Sequence, residues 1–362
     1  MTLHSKTPIG LDGVVAAATA LSHVDGERGE LIIAGQRLGE LARSASFEEV
    51  TTRLWSLAHG EEIDPDGVKT GLGVARERAF ETLPRILAAS DGLPVIAGSR
   101  AGVAALGPVD GLSDETAIIG AMPVIAAALA RRVNGLAPVA PDRSLGHAAD
   151  TLRMLRGEAP TEAEAKALDA YLVTVSDHGM NASTFAARVV ASTNADLFMA
   201  ATAGYCALTG PLHGGAPEPV LAMLDAIGSR DNIAGWIDAA LARGERLMGF
   251  GHRIYRVRDP RADVLRTAVG LLGGRGVDLG FAAEVEAYAR VALAKAKPDR
   301  PLDTNVEFYT AILLDALRIP RAAFTPIFAT GRAAGWTAHA REQQRTGRLL
   351  RPASLYTGVA PG

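Results

Sequence analysis

In the stretch "MGFGHRIYRVRDPRADVLR", residues 248–266, His252 comes just after Gly249 and Gly251, and four arginines follow within nine residues: Arg253, Arg256, Arg258 and Arg261. A solvated helix face with that many cations would intersperse acids three or four positions away, and only Asp259 and Asp263 do so. Guanidinium density of this kind suits a local anion site, because each planar fork can grip a carboxylate or phosphate through two parallel bonds. Three other segments concentrate polar chemistry. "SDHGMNASTFAARVVAST" places Asp177, His178, Asn181, Ser183 and Thr184 ahead of an apolar helix. Those residue types also satisfy the free amides of a helix N-terminus, so a capping role stands beside a chemical one. "LTGPLHGGAPEPVLAML" sets His213 in a glycine and proline turn that opens a helix. A helix N-terminus lowers a histidine pKa, and the neutral ring can donate a hydrogen bond to a carbonyl; simple exposure in a turn is the alternative. Last, Glu307 in "TNVEFYTAILL" opens an apolar helix, and Arg332 sits among small residues in "ATGRAAG". Close packing there leaves a guanidinium in need of an anionic partner.

These side chains must be positioned by helices. "EAEAKALDAYLVTVSDHG", "DNIAGWIDAALARGERLMGFG" and "FAAEVEAYARVALAKAK" space apolar residues at three and four and end in glycine or proline turns. Strand-like alternation is scarce, and the best case, "GELIIAG", is short. The expected fold is all-α with at most a short N-terminal β element. No long biased linker and no internal repeat interrupts the pattern.

Composition agrees. The 362 residues are 48% hydrophobic and 21% charged, enough for a large buried core in one or two domains. A formal charge of -3 and pI of about 6.3 offer no basic surface for nucleic acid or an anionic membrane. The one cysteine, Cys206, can form neither an internal disulfide nor a thiolate metal cluster, and is expected to be a buried thiol in a reducing cytoplasm. The N-terminus lacks the pattern of a signal peptide. The most apolar segment, Thr116 to Ala130, is shorter than the roughly 20 residues a bilayer needs and is expected to be a buried helix.

In order along the chain, "DHGMNASTF", "GPLHGGA", "GFGHRIYRVRDPRA", "NVEFY", "FTPIFATGRAAGWTAH" and "RLLRP" resemble the signatures of the citrate synthase family. The N-terminal "GLDGVVAAATALSHVDGERGELIIAG" resembles its opening strand region. The resemblance implies condensation of acetyl-CoA with oxaloacetate, followed by hydrolysis of the citryl thioester. It implies that His213 hydrogen-bonds the enol oxygen, that Glu307 is the base, and that His252 holds and protonates the oxaloacetate carbonyl. Arg261, Arg332, Arg351 and His178 would bind oxaloacetate, with Arg351 reaching the neighbouring subunit of a homodimer. Arg256 would meet coenzyme A phosphate, and the backbone of Gly249, Phe250 and Gly251 would hold its adenine; Lys295 and Lys297 are secondary phosphate candidates and Arg100 a loose one. Coenzyme A enters as a co-substrate, with no tightly bound cofactor and no metal. A large domain, 1–215 with 319–362, and a small domain, 216–318, would close over the substrates.

The sequence departs from the family pattern in three places. Glu307 stands where the family has aspartate in "NVDFY", "GGAPEP" replaces "GGANEA", and the "HPMD" segment has no counterpart. Glutamate and aspartate share an intrinsic pKa near 4, so the base survives in kind, while the added methylene implies either a shifted backbone or slow turnover. Two alternatives remain: a 2-methylcitrate synthase using propionyl-CoA, or a catalytically weak homologue that binds oxaloacetate or an acyl-CoA.

Overall fold

The computed structural model describes residues 9–11, 13–213, 217–273, 276 and 278–359. Part of the "GPLHGGA" signature, Gly214 to Ala216, and with it the boundary expected between 215 and 216, lie outside the described residues. Among them the fold is helical, with one small antiparallel sheet of β1 (Ser22–Asp25), β2 (Glu30–Ile33) and β3 (Gln36–Arg37) in sequence order. The register pairs Ser22 with Ile33 and Asp25 with Glu30, which buries Leu31 and Ile33 and turns Glu30 outward. The expected strand in "GELIIAG" is thus present.

The hairpin works as a brace. At its tip a Cβ on Gly26 would come within 2.3 Å of the Ile254 carbonyl oxygen, so only glycine permits this approach to the loop after His252. Gly26 also accepts a hydrogen bond from the Arg256 amide at 2.9 Å. At the other end, Ser22 Oγ accepts the Gly179 amide at 3.0 Å. One short sheet therefore fixes the loops that follow both His178 and His252.

Among the described residues nine α-helices precede residue 214: α1 (Leu38–Ser44), α2 (Phe47–His59), α3 (Pro65–Ala89), α4 (Val95–Ala104), α5 (Asp114–Val133), α6 (His147–Arg156), α7 (Glu162–Val175), α8 (Ala182–Ala191) and α9 (Leu197–Leu208). Six follow it: α10 (Pro217–Ile227), α11 (Ile233–Ala242), α12 (Pro260–Gly270), α13 (Leu279–Ala296), α14 (Val306–Ala316) and α15 (Phe324–Thr346). Their starts are chemically marked. Ser46 with Glu49 and Thr161 with Glu164 form capping boxes, and Asp259 and Asn305 cap α12 and α14.

α15 is the central element. It packs on α2, α5, α7, α8 and α9 and is buried along nearly its whole length. α5 runs 20 residues, longer than the apolar segment suggested, and reaches the length and hydropathy of a membrane span. It lies instead inside the protein, against α3, α4, α6 and α15. Proximity to α3 depends on Gly120, where a Cβ would sit 2.3 Å from the Ala75 Cβ. Beyond residue 216, α10 and α12 pack on α14 and α11 packs on α13, while α12 also rests on α1 and α7. Cys206 corrects an expectation. It is exposed, because α9 turns Phe198, Ala201, Tyr205 and Leu208 inward and leaves Cys206 on the outer face.

Candidate active site

His252 is held by a backbone zipper. The Gly251 amide donates to Asp303 O at 2.7 Å, the Asn305 amide donates to Gly249 O at 2.9 Å, and Asn305 Nδ2 donates to Gly251 O at 2.8 Å. Gly249 and Gly251 both adopt φ of +84°, which non-glycine residues rarely adopt. A Cβ on Gly249 would meet Phe308 at 2.9 Å. The pairing brings the His252 loop against the start of α14, where Glu307 occupies the first turn. His252 Nδ1 accepts the amides of Ile254 at 3.1 Å and Tyr255 at 3.2 Å. With Nδ1 an acceptor, the neutral ring carries its proton on Nε2. That nitrogen lies 3.3 Å from the terminal nitrogen of Arg261. The same terminal nitrogen donates to Asp259 Oδ2 at 2.7 Å, so Asp259 holds Arg261 beside the His252 ring.

His213 is fixed in the opposite sense. Its Nε2 accepts the Ser183 amide at 3.3 Å and lies 2.9 Å from Ser183 Oγ. Ser183 Oγ in turn accepts Trp336 Nε1 at 3.0 Å and lies 2.8 Å from Asn181 Oδ1. The proton of neutral His213 is therefore on Nδ1, which takes no partner among the described residues. In the "SDHGMNASTF" segment Asn181 caps α8, and Ser183 meets His213.

Arg261 is buried and bound to Asp259 through Nε at 3.0 Å and a terminal nitrogen at 2.7 Å. Asp259 also caps α12 and accepts the Val306 amide at 3.1 Å. One carboxylate thus ties Arg261 to the helix start that carries Glu307. Arg332, 1% exposed, donates from Nε to Val175 O at 2.6 Å and stacks on Phe328, and makes no ion pair among the described residues. Its neighbours are small for a reason. A Cβ on Gly331 would meet Val175 at 2.6 Å, and one on Gly335 would meet Ser176 O at 2.4 Å, so "ATGRAAG" lets α15 press against the segment leading to His178.

The electrostatics join these groups. Burial lowers His213 and His252 to about 4, with Arg261 pushing the same way in both and Arg332 in His213. His178 is driven well below its ordinary value by burial, then by Arg261. Glu307 is raised to about 7 by burial, against the attraction of Arg261 and Arg332. Its Oε2 is buried with no hydrogen-bond partner among the described residues. Arg332 is lowered to about 10, again by burial first. Such a cluster holds neutral imidazoles, a carboxyl that titrates near neutrality and guanidinium charge open to an anion.

The residues singled out from sequence divide into two sets. His178, His213, His252, Arg261, Glu307 and Arg332 come together. Gly249, Phe250 and Gly251 border them through the zipper. Arg256 is exposed, its side chain reaching only Arg253 O among the described residues. Arg351 lies exposed on the irregular segment after α15 and makes no hydrogen bond or ion pair with the cluster among the described residues. Lys295, Lys297 and Arg100 are exposed too. Sequence reasoning missed Tyr255, buried between His178 and His252, and the double role of Asp259; the Asp-Pro helix start was the available signal for the second.

The sequence matches the family model of the citrate synthase C-terminal domain over residues 10–353. It is 40% identical over 368 residues to the citrate synthase of Haloferax volcanii, covering 96% of this chain and 95% of that protein. It is 36% identical to a Mycobacterium tuberculosis protein named 2-methylcitrate synthase, covering 98% and 92%. Among solved structures, the citrate synthase of Pyrobaculum aerophilum superposes with a TM-score of 0.83 at 31% identity, over 97% of this chain and 92% of that one. The Thermoplasma acidophilum citrate synthase, solved in ternary complex with carboxymethyl coenzyme A and oxaloacetate, gives 0.86 at 27% identity, over 98% and 96%. With its helical fold and clustered histidines, arginines and carboxyl, the chain belongs to the citrate synthase family.

Proposed function

We propose that the protein condenses acetyl-CoA with oxaloacetate and hydrolyses the citryl thioester, and that Glu307 is the base. The observation that carries this reading is the Glu307 Oε2, buried without a partner among the described residues, its carboxyl raised to about 7 beside Arg261 and Arg332. A thioester methyl is a poor carbon acid. It needs a base that is ionised yet unsolvated, together with a donor waiting at the oxygen that becomes negative. Glu307 serves as that base, and His213 Nδ1–H serves as the donor, its other nitrogen held by Ser183. A neutral donor stabilises the enol without first giving up its proton.

Oxaloacetate brings two carboxylates and an electrophilic ketone. Arg261, Arg332 and His178 take the carboxylates, and His252 Nε2–H takes the ketone oxygen. The 3.3 Å between His252 Nε2 and the Arg261 terminal nitrogen supports one substrate meeting both. As the carbon bond forms, negative charge grows on that oxygen, and His252 passes it a proton. Arg351 completes the site of a second copy in a homodimer; its exposure on the segment after α15 supports this. The packing of α10 on α14, α12 on α14 and α11 on α13 supports a smaller domain that closes on the substrates and excludes water. Coenzyme A is a co-substrate held along Gly249–Gly251 and Arg256, no tightly bound cofactor takes part, and the protein acts in the cytoplasm.

The relative named 2-methylcitrate synthase gives a second reading, with propionyl-CoA as the thioester. One methylene in an apolar pocket is worth only about 1 to 3 kcal/mol, so assay decides. In parallel turnover with oxaloacetate, kcat/KM is expected to be higher for acetyl-CoA; a higher value for propionyl-CoA would transfer the assignment.

A further inference from the structure

We propose that Tyr255 is a positioning residue that fixes which nitrogen of His178 carries the proton, so that His178 presents Nδ1–H to an oxaloacetate carboxylate. The inference rests on the reading above that His178 faces oxaloacetate, and extends it to a residue outside the substrate's contacts. Tyr255 is 2% exposed, and its hydroxyl lies 3.1 Å from His178 Nε2. That nitrogen is the hydroxyl's only hydrogen-bond partner among the described residues. A buried phenol must place its proton on an acceptor, and burial holds this one in its protonated form. The hydroxyl therefore donates to Nε2. The neutral ring then keeps its proton on Nδ1, which has no partner among the described residues.

The rest of the Tyr255 environment keeps the ring in place. It packs against His178 at 5.6 Å and His252 at 4.8 Å between centroids, and Arg261 lies over its face at 5.8 Å. Its backbone amide meanwhile donates to His252 Nδ1. One residue thus bears on the proton positions of two imidazoles, by its hydroxyl on His178 and by its amide, together with that of Ile254, on His252. A phenylalanine would keep the amide and the stacking and remove only the hydroxyl, which isolates the effect on His178.

The test uses full-length protein labelled with 15N-histidine, with His178 assigned by loss of its signals in His178→Asn. In the unmodified chain, solid-state NMR is expected to show His178 protonated on Nδ1 and bare on Nε2. In Tyr255→Phe the His178 tautomers should mix, the His252 shifts should stay, and KM for oxaloacetate should rise about tenfold, as for loss of one orienting hydrogen bond, with kcat changed far less. His178 protonated on Nε2 in the unmodified chain overturns the proposal, and needs no variant to fold. An unaltered tautomer or an unaltered oxaloacetate KM in Tyr255→Phe overturns it as well. Failure of the underlying reading looks different: the unmodified chain would show no turnover that depends on oxaloacetate.

Discussion

Replacing Glu307 by Gln should make the protein more stable in alkaline solution while disabling it. Burial raises the Glu307 carboxyl to about 7 from an ordinary value of 4.5. The folded state then binds the proton more tightly than the unfolded state between those two values, so rising pH removes stability through that window and the loss is complete above about 7. A shift of this size corresponds to about 3 kcal/mol at pH 8 and less than about 1 kcal/mol at pH 5. Gln has the same shape and no charge to desolvate. Urea unfolding of parent and variant at both values measures the difference. The variant's advantage should be small at pH 5 and reach about 2 to 3 kcal/mol at pH 8, less whatever its own amide loses by lacking a partner. An advantage that does not change with pH would refute the claim that Glu307 is buried without compensation, and with it the argument for a base that titrates near neutrality.

Other expectations follow from the same geometry. Arg332→Lys keeps the charge but loses the fork, and calorimetry should show oxaloacetate bound roughly 10- to 100-fold more weakly. The profile of kcat/KM against pH should fall on the acid side with an apparent pKa of about 7, the Glu307 value, since a protonated base cannot accept; no further histidine limb should appear above about pH 5, because His213 and His252 stay neutral there. Gly335→Ala would place a methyl 2.4 Å from Ser176 O, and thermal unfolding should report a loss of roughly 1 to 3 kcal/mol as α15 is pushed from the segment before His178.

Much of this was legible in the sequence, for reasons that differ by residue. The helices declared themselves because apolar spacing and caps such as Ser46, Asp259 and Asn305 are local signals. His252 and Arg332 stood out because each violates what helix packing alone would choose. Pairings were not legible, because they depend on segments far apart in the chain. Ser183 sits 30 residues from His213 and Trp336 153 residues from Ser183, and no local pattern announces that they meet. Tyr255 carries no local signal of a role in the sequence. Its role emerges only when the fold sets His178 on its other side. The exposure of Cys206 was equally hidden, since periodicity tells which residues share a face of α9 but not which face the neighbours will cover.

The central claim is that Glu307 removes the proton from the thioester methyl while His213 and Arg261 hold the reacting pair. It is tested most directly by oxaloacetate-dependent release of coenzyme A from acetyl-CoA, measured for the unmodified chain and for Glu307→Gln, with oxaloacetate binding confirmed in both. The unmodified chain is expected to turn over, and the variant to bind oxaloacetate normally yet release coenzyme A roughly 10²- to 10⁴-fold more slowly. Release by the variant at the parent's rate would contradict the assignment of the base.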